Sequence, residues 1–302
     1  MEDMITGLCP QCGHTLHIPA ELASFSCMYC GTRLTKEQLA AEPPAAQEAD
    51  EDRAAYYDRA VSRLGWCIKN FGGYQKKIMR DVFFEAFETY ETGCAPVIQE
   101  LARGVAPERQ TELLERAAEA MLDELSAGWE KKNDMEDEKV VLAIFFVPMV
   151  RKQQLPISEE FVTILQKQWV ERYPKSPFYL GDYESISGGF RKKFLGLCFI
   201  TTAVCQELGK PDDCEELTAF RAFRDGYLRS QPDGEALIRE YYNIAPGIVT
   251  CINTCSDRHA SYARIREEYL APCYQDLLAG RNESCKARYV RMVRDLEREY
   301  LS

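Results

Sequence analysis

A mainly α-helical chain preceded by a small metal-binding β module is the fold class predicted for these 302 residues. Three observations predict it. Two C-x-x-C-G strings stand close together near the start, apolar residues from Tyr57 onward recur at helical spacing, and no strand alternation competes with that spacing after the module.

Residues 1–39 read as a zinc ribbon. Cys9-Pro10-Gln11-Cys12-Gly13 and Cys27-Met28-Tyr29-Cys30-Gly31 flank a short strand-prone segment containing His14-Thr15-Leu16-His17-Ile18 and Phe25. A tight turn in each copy brings two sulfurs to one side, and the following glycine lets the backbone curl toward them. Four thiolates, Cys9, Cys12, Cys27 and Cys30, make a closed tetrahedral site for one structural zinc ion with no open position for water. Such a short segment cannot otherwise bury a core. A thioredoxin-like redox pair or a rubredoxin-like iron site are the other readings of the spacing, and tandem knuckles fit zinc better. His14 and His17 are expected as strand residues, since the cysteines already satisfy the metal. Only Arg33 and Lys36 are basic in the module, against Glu2, Asp3, Glu21 and Glu37, so contact with a protein is expected over nucleic acid.

Residues 40–55 carry AAEPPAAQEADED, rich in alanine, proline and acid, and read as a flexible linker. From 56 to 194 the pattern is helical. Tyr57, Val61, Leu64, Ile68 and Phe71 mark one face before Gly72-Gly73, and a second helix is expected from Tyr74 to about Tyr90. Pro107 opens a helix with Leu113, Leu114, Ala117, Met121 and Leu125 on one face, closing at Gly128. Val140 to Val150 is apolar on all sides and predicts a central helix that Pro148 kinks or ends. Ser158 can cap a helix from Glu159 to Tyr173, and Gly188-Gly189-Phe190-Arg191-Lys192-Lys193 reads as a solvated basic hinge.

The last region, 195–302, opens with LGLCFITTAVCQELGKPDDCEELTAFRAFRDGYL. Cys198, Thr201, Thr202, Cys205 and Leu208 share a helix face that closes near Gly209. Pro211 blocks continuation, Asp212 or Asp213 can cap the next helix, and Glu215 and Glu216 fall in its first turn, where the dipole favours acids. Leu217, Phe220, Arg221, Arg224 and Leu228 follow along one stripe, with Arg221 in reach of Asp225. Two readings stay open. Arg221, Arg224 and Asp225 can form a partly buried ion-pair network that fixes helix docking. Alternatively Cys198, near a helix start and a guanidinium that would lower its pKa, is a nucleophile or modified residue with Arg224 binding an anion and Tyr241 or Tyr242 close by. The only histidines are His14, His17 and His259, none near in sequence to serve as a base.

The string CFITTA, the Leu217/Phe220/Arg221 pattern with Arg224-Asp225, and Tyr241-Tyr242 before Ala245-Pro246 resemble the CFI-box C-terminal domain of bacteria and archaea. PDDC, LAPC ending at Cys273 and CKARYVRMVRDLEREYL at the end are similar to a clostridial branch of that family. The resemblance spans about Phe190 to Ser302. It implies a helical domain and no established activity.

Further along, Cys251, Cys255 and His259 fall at i, i+4, i+8, which is compatible with a second metal if one helix carries all three. The competing reading has Cys205, Cys214, Cys251, Cys255, Cys273 and Cys285 filling narrow helix contacts. Two final helices, about Tyr262 to Leu278 and Asn282 to Leu301, are expected around Gly280, with Arg288, Arg291, Arg294 and Arg298 on a salt-bridged outer face.

The balance of 37 basic against 48 acidic residues, a net charge of −11, argues against non-specific binding to nucleic acid or anionic lipid. MEDMITG lacks the basic start of a secretory signal, and the longest apolar run is too short for a span of about 20 residues. A soluble, cytoplasmic protein with reduced thiols is expected, consistent with an odd count of 13 cysteines. No P-loop, G-x-G-x-x-G, H-E-x-x-H or nucleophile elbow occurs. The expectation is a zinc-ribbon protein acting through a protein partner as an interaction or scaffold protein. The alternatives are a cysteine-dependent enzyme or covalently modified protein centred on Cys198, and a nucleic-acid-associated ribbon.

Overall fold

A computed structural model describes residues 4–11, 15–28, 31–39, 50–131, 133–191 and 198–302. The fold is mainly helical, with a small β module at the N-terminus. The chain divides into two compact units, Met1–Ala54 and Ala55–Ser302.

In the first unit β1 (Met4–Leu8) pairs antiparallel with β2 (Thr15–Pro19), and β3 (Ser24–Ser26) with β4 (Arg33–Thr35). Register places Ile5 opposite Ile18 and Phe25 opposite Leu34. Among the described residues of this unit the buried cluster is Cys9, Leu16, Cys27 and Leu34. The expected linker lies largely outside the described residues. Helix α1 (Asp50–Leu64) begins well before Tyr56.

The second unit takes in α1 from Ala55 and all that follows. After α2 (Trp66–Lys69) the chain makes a 3₁₀ turn at Tyr74–Lys77, and α3 (Phe83–Gly104) starts later and runs further than the apolar stripe implies, passing through Pro96. α4 (Gln110–Ala127) packs on α7 (Ser158–Arg172). Ser158 begins α7 without capping it: its hydroxyl donates to the Val150 carbonyl at 2.8 Å.

The apolar run forms α5 (Asp134–Val141), a π-helical turn at Leu142–Phe146, and α6 (Val147–Lys152), with every residue from Val141 to Val150 buried. Pro148 does not end it. The widened turn, in which the Val147 amide donates to the Leu142 carbonyl, relieves the clash of the ring with the carbonyl four residues back. A second π turn, Arg266–Leu270, stands in the same relation to Pro272, between α12 (Arg258–Ile265) and α13 (Ala271–Leu278). The expected basic hinge is instead α8 (Tyr183–Arg191), helical through Gly188 and Gly189; Lys192 and Lys193 lie outside the described residues.

The remaining helices are α9 (Phe199–Glu207), α10 (Glu215–Ala222), α11 (Gly234–Cys255) and α14 (Asn282–Tyr300). α11 joins the regions before and after residue 195 into one core. The amides of Arg80 and Asp81 donate to the Asn243 carbonyl and Oδ1 at 2.9 and 3.0 Å, and that of Tyr179 to the Thr254 carbonyl at 2.8 Å. Gly247 lies so close to the Ile78 carbonyl that a Cβ there would sit 1.9 Å from its oxygen. Among the described residues no helix is long and apolar enough to cross a membrane.

Candidate functional site

Cys198 stands at the N-cap of α9, and the α9–α10 connection explains how it meets Arg224. α9 closes in a Schellman motif: the amides of Gly209 (φ 68°) and Lys210 donate to the carbonyls of Gln206 and Cys205 at 3.0 and 2.9 Å. Five residues later Cys214, and neither Asp212 nor Asp213, is the N-cap of α10, with Glu215 and Glu216 in the first turn as expected. α10 then widens into a π-helical turn at Phe223–Leu228. This turn carries Arg224 inward, where it is only 7% exposed. Local widening of this kind is frequent at functional sites and is invisible to a 3.6-residue pattern.

The Arg224 guanidinium organises the centre. Its Nη1 donates to Cys198 Sγ at 3.4 Å and to Tyr242 Oη at 3.1 Å, while Nε and Nη2 bind the Asp225 carboxylate in bidentate fashion at 2.8 and 2.6 Å. Tyr241 faces α9, and its hydroxyl accepts from the Ile200 amide at 3.0 Å, satisfying one orphan donor of the helix start. Tyr289 of α14 lies 3.3 Å from Thr201 Oγ1 and also hydrogen-bonds Tyr241. Arg221 turns away from the centre, binding the Asp212 carbonyl and carboxylate at 2.7 and 2.8 Å; Asp225 is held by Arg224 instead of by the expected i, i+4 pair.

Beside Cys198, Arg224, Tyr241 and Tyr289 is a small, almost wholly apolar cavity of about 60 Å³, walled by Phe220, Phe223, Ile238 and Val293. Cys198 is 4% exposed. Burial pushes its thiol above the ordinary value, and the opposing pull of Arg224 and Arg221 does not reverse this. The direction is opposite to the one the nucleophile reading needs: a position at a helix N-terminus beside a guanidinium does not offset desolvation when that guanidinium is already paired with Asp225. Burial opposes the Arg224 charge, yet the Asp225 hydrogen bonds raise its pKa and hold it protonated. Those same bonds keep Asp225 below the usual carboxylate range. Burial also raises both Tyr241 and Tyr242.

The geometry therefore brings together Cys198, Arg224, Asp225 and Tyr241, and leaves Arg221 at the edge. Sequence reasoning named Tyr242 only as an alternative and placed Tyr289 solely in a core stripe; no local signal links residue 289 to residue 201. Within the second unit the one histidine, His259, is 80% exposed beside Glu207 and does not serve the thiol.

The possible second metal set is not assembled. α11 ends at Cys255, and Asp257 caps a new helix by accepting from the Ala260 amide at 3.1 Å, which carries His259 off the face shared by Cys251 and Cys255. Cys251 donates to the Tyr300 carbonyl at 3.6 Å.

Of the expected zinc ligands, Cys9 and Cys27 are buried in the same small cluster, and Cys12 and Cys30 lie outside the described residues. After the second string the Gly31 amide donates to the Cys27 carbonyl at 2.8 Å, with Gly31 at φ 75°. The donor chemistry fits zinc, since one cysteine from each string is gathered at one point of the module. Among the described residues alone, no group of three metal-ligating side chains occurs. Compared with known proteins, the chain matches no family model, no curated protein and no solved structure.

Proposed function

We propose that this is a non-catalytic interaction protein of the reduced cytoplasm, in which a zinc ribbon held by Cys9, Cys12, Cys27 and Cys30 contacts a protein partner. The helical body, which we assign to the CFI-box family on its sequence strings, acts as the scaffold. The observation that carries the binding role is Met28, 82% exposed beside Cys27 in a module whose buried cluster is very small. Leu22 is exposed in the same unit. Flexible methionine on a surface suits protein contact, and the net charge of −11 disfavours nucleic acid.

The second reading, a cysteine-dependent reaction at Cys198, is favoured by the cavity that touches this residue. Against it stand the raised thiol pKa and the commitment of Arg224 to Asp225, Tyr242 and Cys198 itself. The experiment is cross-linking of the full zinc-loaded chain in cells, comparing wild type with Met28→Asp. Loss of a defined partner in Met28→Asp with zinc content unchanged supports the reading. An unchanged partner set, or binding that disappears with moderate salt in the manner of nucleic acid, overturns it.

A further inference from the structure

The helical body contains three places where two thiols meet across a helix junction. Cys67 of α2 meets Cys94 of α3, Cys273 of α13 meets Cys285 of α14, and Cys205 of α9 meets Cys214 at the N-cap of α10. In the first two pairs both residues are fully buried. The third differs: Cys205 is 2% exposed, but Cys214 is partly open to solvent, and the two sulfurs are 3.9 Å apart in S–H···S contact. Of the six residues in these pairs, Cys214 alone is not buried.

We propose that Cys205 and Cys214 form a reversible dithiol–disulfide modification site that responds to peroxide. Bond formation requires the sulfurs to close by roughly 2 Å. The movement asked of the connection between them is small, and Pro211, Asp212 and Asp213 within it are exposed. The ion pair Lys210–Glu216 (2.5 Å) and the Arg221–Asp212 bonds tie the connection to α10, and α10 packs directly on α9, so the two sulfurs stay in approach. Lys210 lies close enough to pull the Cys205 thiol down against the burial and the neighbouring Cys214 that push it up to about 12. Cys214 is therefore the sulfur that meets the oxidant, and Cys205 the one that resolves it.

In the first step Cys214 sulfur attacks one oxygen of hydrogen peroxide. An S–O bond forms, the O–O bond breaks, and the thiol proton leaves with the departing oxygen as water. In the second, Cys205 sulfur attacks Cys214 sulfur, the S–S bond forms, the S–O bond breaks, and the leaving hydroxide takes the Cys205 proton as a second water. Two thiols lose two electrons and the peroxide gains them; a dithiol reductant reverses the change. The bond would clamp the hairpin whose first helix is capped by Cys198 and whose second leads into Arg224, so oxidation stiffens the centre without touching it.

The test uses the full, zinc-loaded, reduced chain treated with hydrogen peroxide, quenched with an alkylating reagent and mapped by mass spectrometry, with the ribbon cysteines followed in the same digest. The expected product links the Cys205 and Cys214 peptides, lighter by the two hydrogens lost. It forms at least about tenfold faster than any link at Cys67–Cys94 or Cys273–Cys285, since fully buried thiols react only through local opening. In Cys205→Ser, and in Cys205→Ala should the serine variant fold poorly, Cys214 instead accumulates a sulfenic acid that dimedone traps; in Cys214→Ser, Cys205 stays reduced. Over-oxidation of Cys214 in the wild-type chain without the link, or links forming equally fast at all three pairs, would overturn the proposal.

Discussion

The two units of this chain use cysteine in opposite ways. Among the described residues of the β module Cys9 and Cys27 make up half of a four-residue buried cluster, so these residues offer little apolar surface to hold two hairpins together. In the helical body Cys67, Cys94, Cys251, Cys273 and Cys285 are fully buried within a core built from Trp169, Tyr90 and many phenylalanines, where a thiol is one small apolar filler among many. The difference teaches that an identical side chain is a candidate ligand where the core is too small to fold a module, and packing where the core is large.

Metal removal separates the two most strongly. A structural zinc in such a module contributes on the order of 10 kcal/mol, so a strong chelator, or Cys27→Ser, is expected to abolish amide protection across residues 4–39. The helical circular dichroism and the melting of the body should be unchanged. The body has its own vulnerable points: Phe145 is fully buried at the centre of the aromatic cluster, and Phe145→Ala should cost about 3–5 kcal/mol in denaturant unfolding while leaving zinc content intact.

Acidity should sharpen the contrast in opposite directions. The proposed ribbon zinc needs deprotonated thiolate ligands, so on that proposal acidification should release the metal and unfold the module. In the body, burial pushes Cys205 and Cys255 up to about 12. The native state then keeps protons that the unfolded chain releases, and stability is complete below the free thiol value of about 8.5. It falls as pH rises toward the folded values, by about 1.4 kcal/mol per pH unit for each such thiol. Urea midpoints measured from pH 7 to 11 check this. The smallest effect is expected from Arg224→Ala, which removes the hydrogen bond to Tyr242 and the bidentate pairing with the half-exposed Asp225; about 1–3 kcal/mol of destabilisation follows, readable as a lower urea midpoint.

Most of the helix inventory was legible because burial imposes a 3.6-residue period on Tyr57–Phe71, Leu113–Leu125 and Met292–Tyr300 alike. The strand pairing of the module was legible only as a spacing, since Ile5, Leu16 and Phe25 alone are too few to set a register. Pro148 and the Gly188-Gly189 pair misled as break signals, because a π turn accommodates the proline and α8 continues through the glycines. At the candidate site, Cys198, Arg224 and Asp225 were found from their helix positions. The contacts of Tyr242 and Tyr289 were not, since they depend on how α11 and α14 cross. The raised Cys198 thiol was also hidden: a sequence displays the nearby arginine, but not the depth of burial that outweighs it.

The most direct test of the account is the pH dependence of Cys198 alkylation in the native chain, followed residue by residue with iodoacetamide. The account predicts that Cys198 reacts as slowly as the buried Cys251, behind the partly exposed Cys214, and accelerates only in the alkaline range. A Cys198 that is labelled ahead of every other cysteine, with a rate already at its plateau at neutral pH, would contradict it and make this residue a nucleophile.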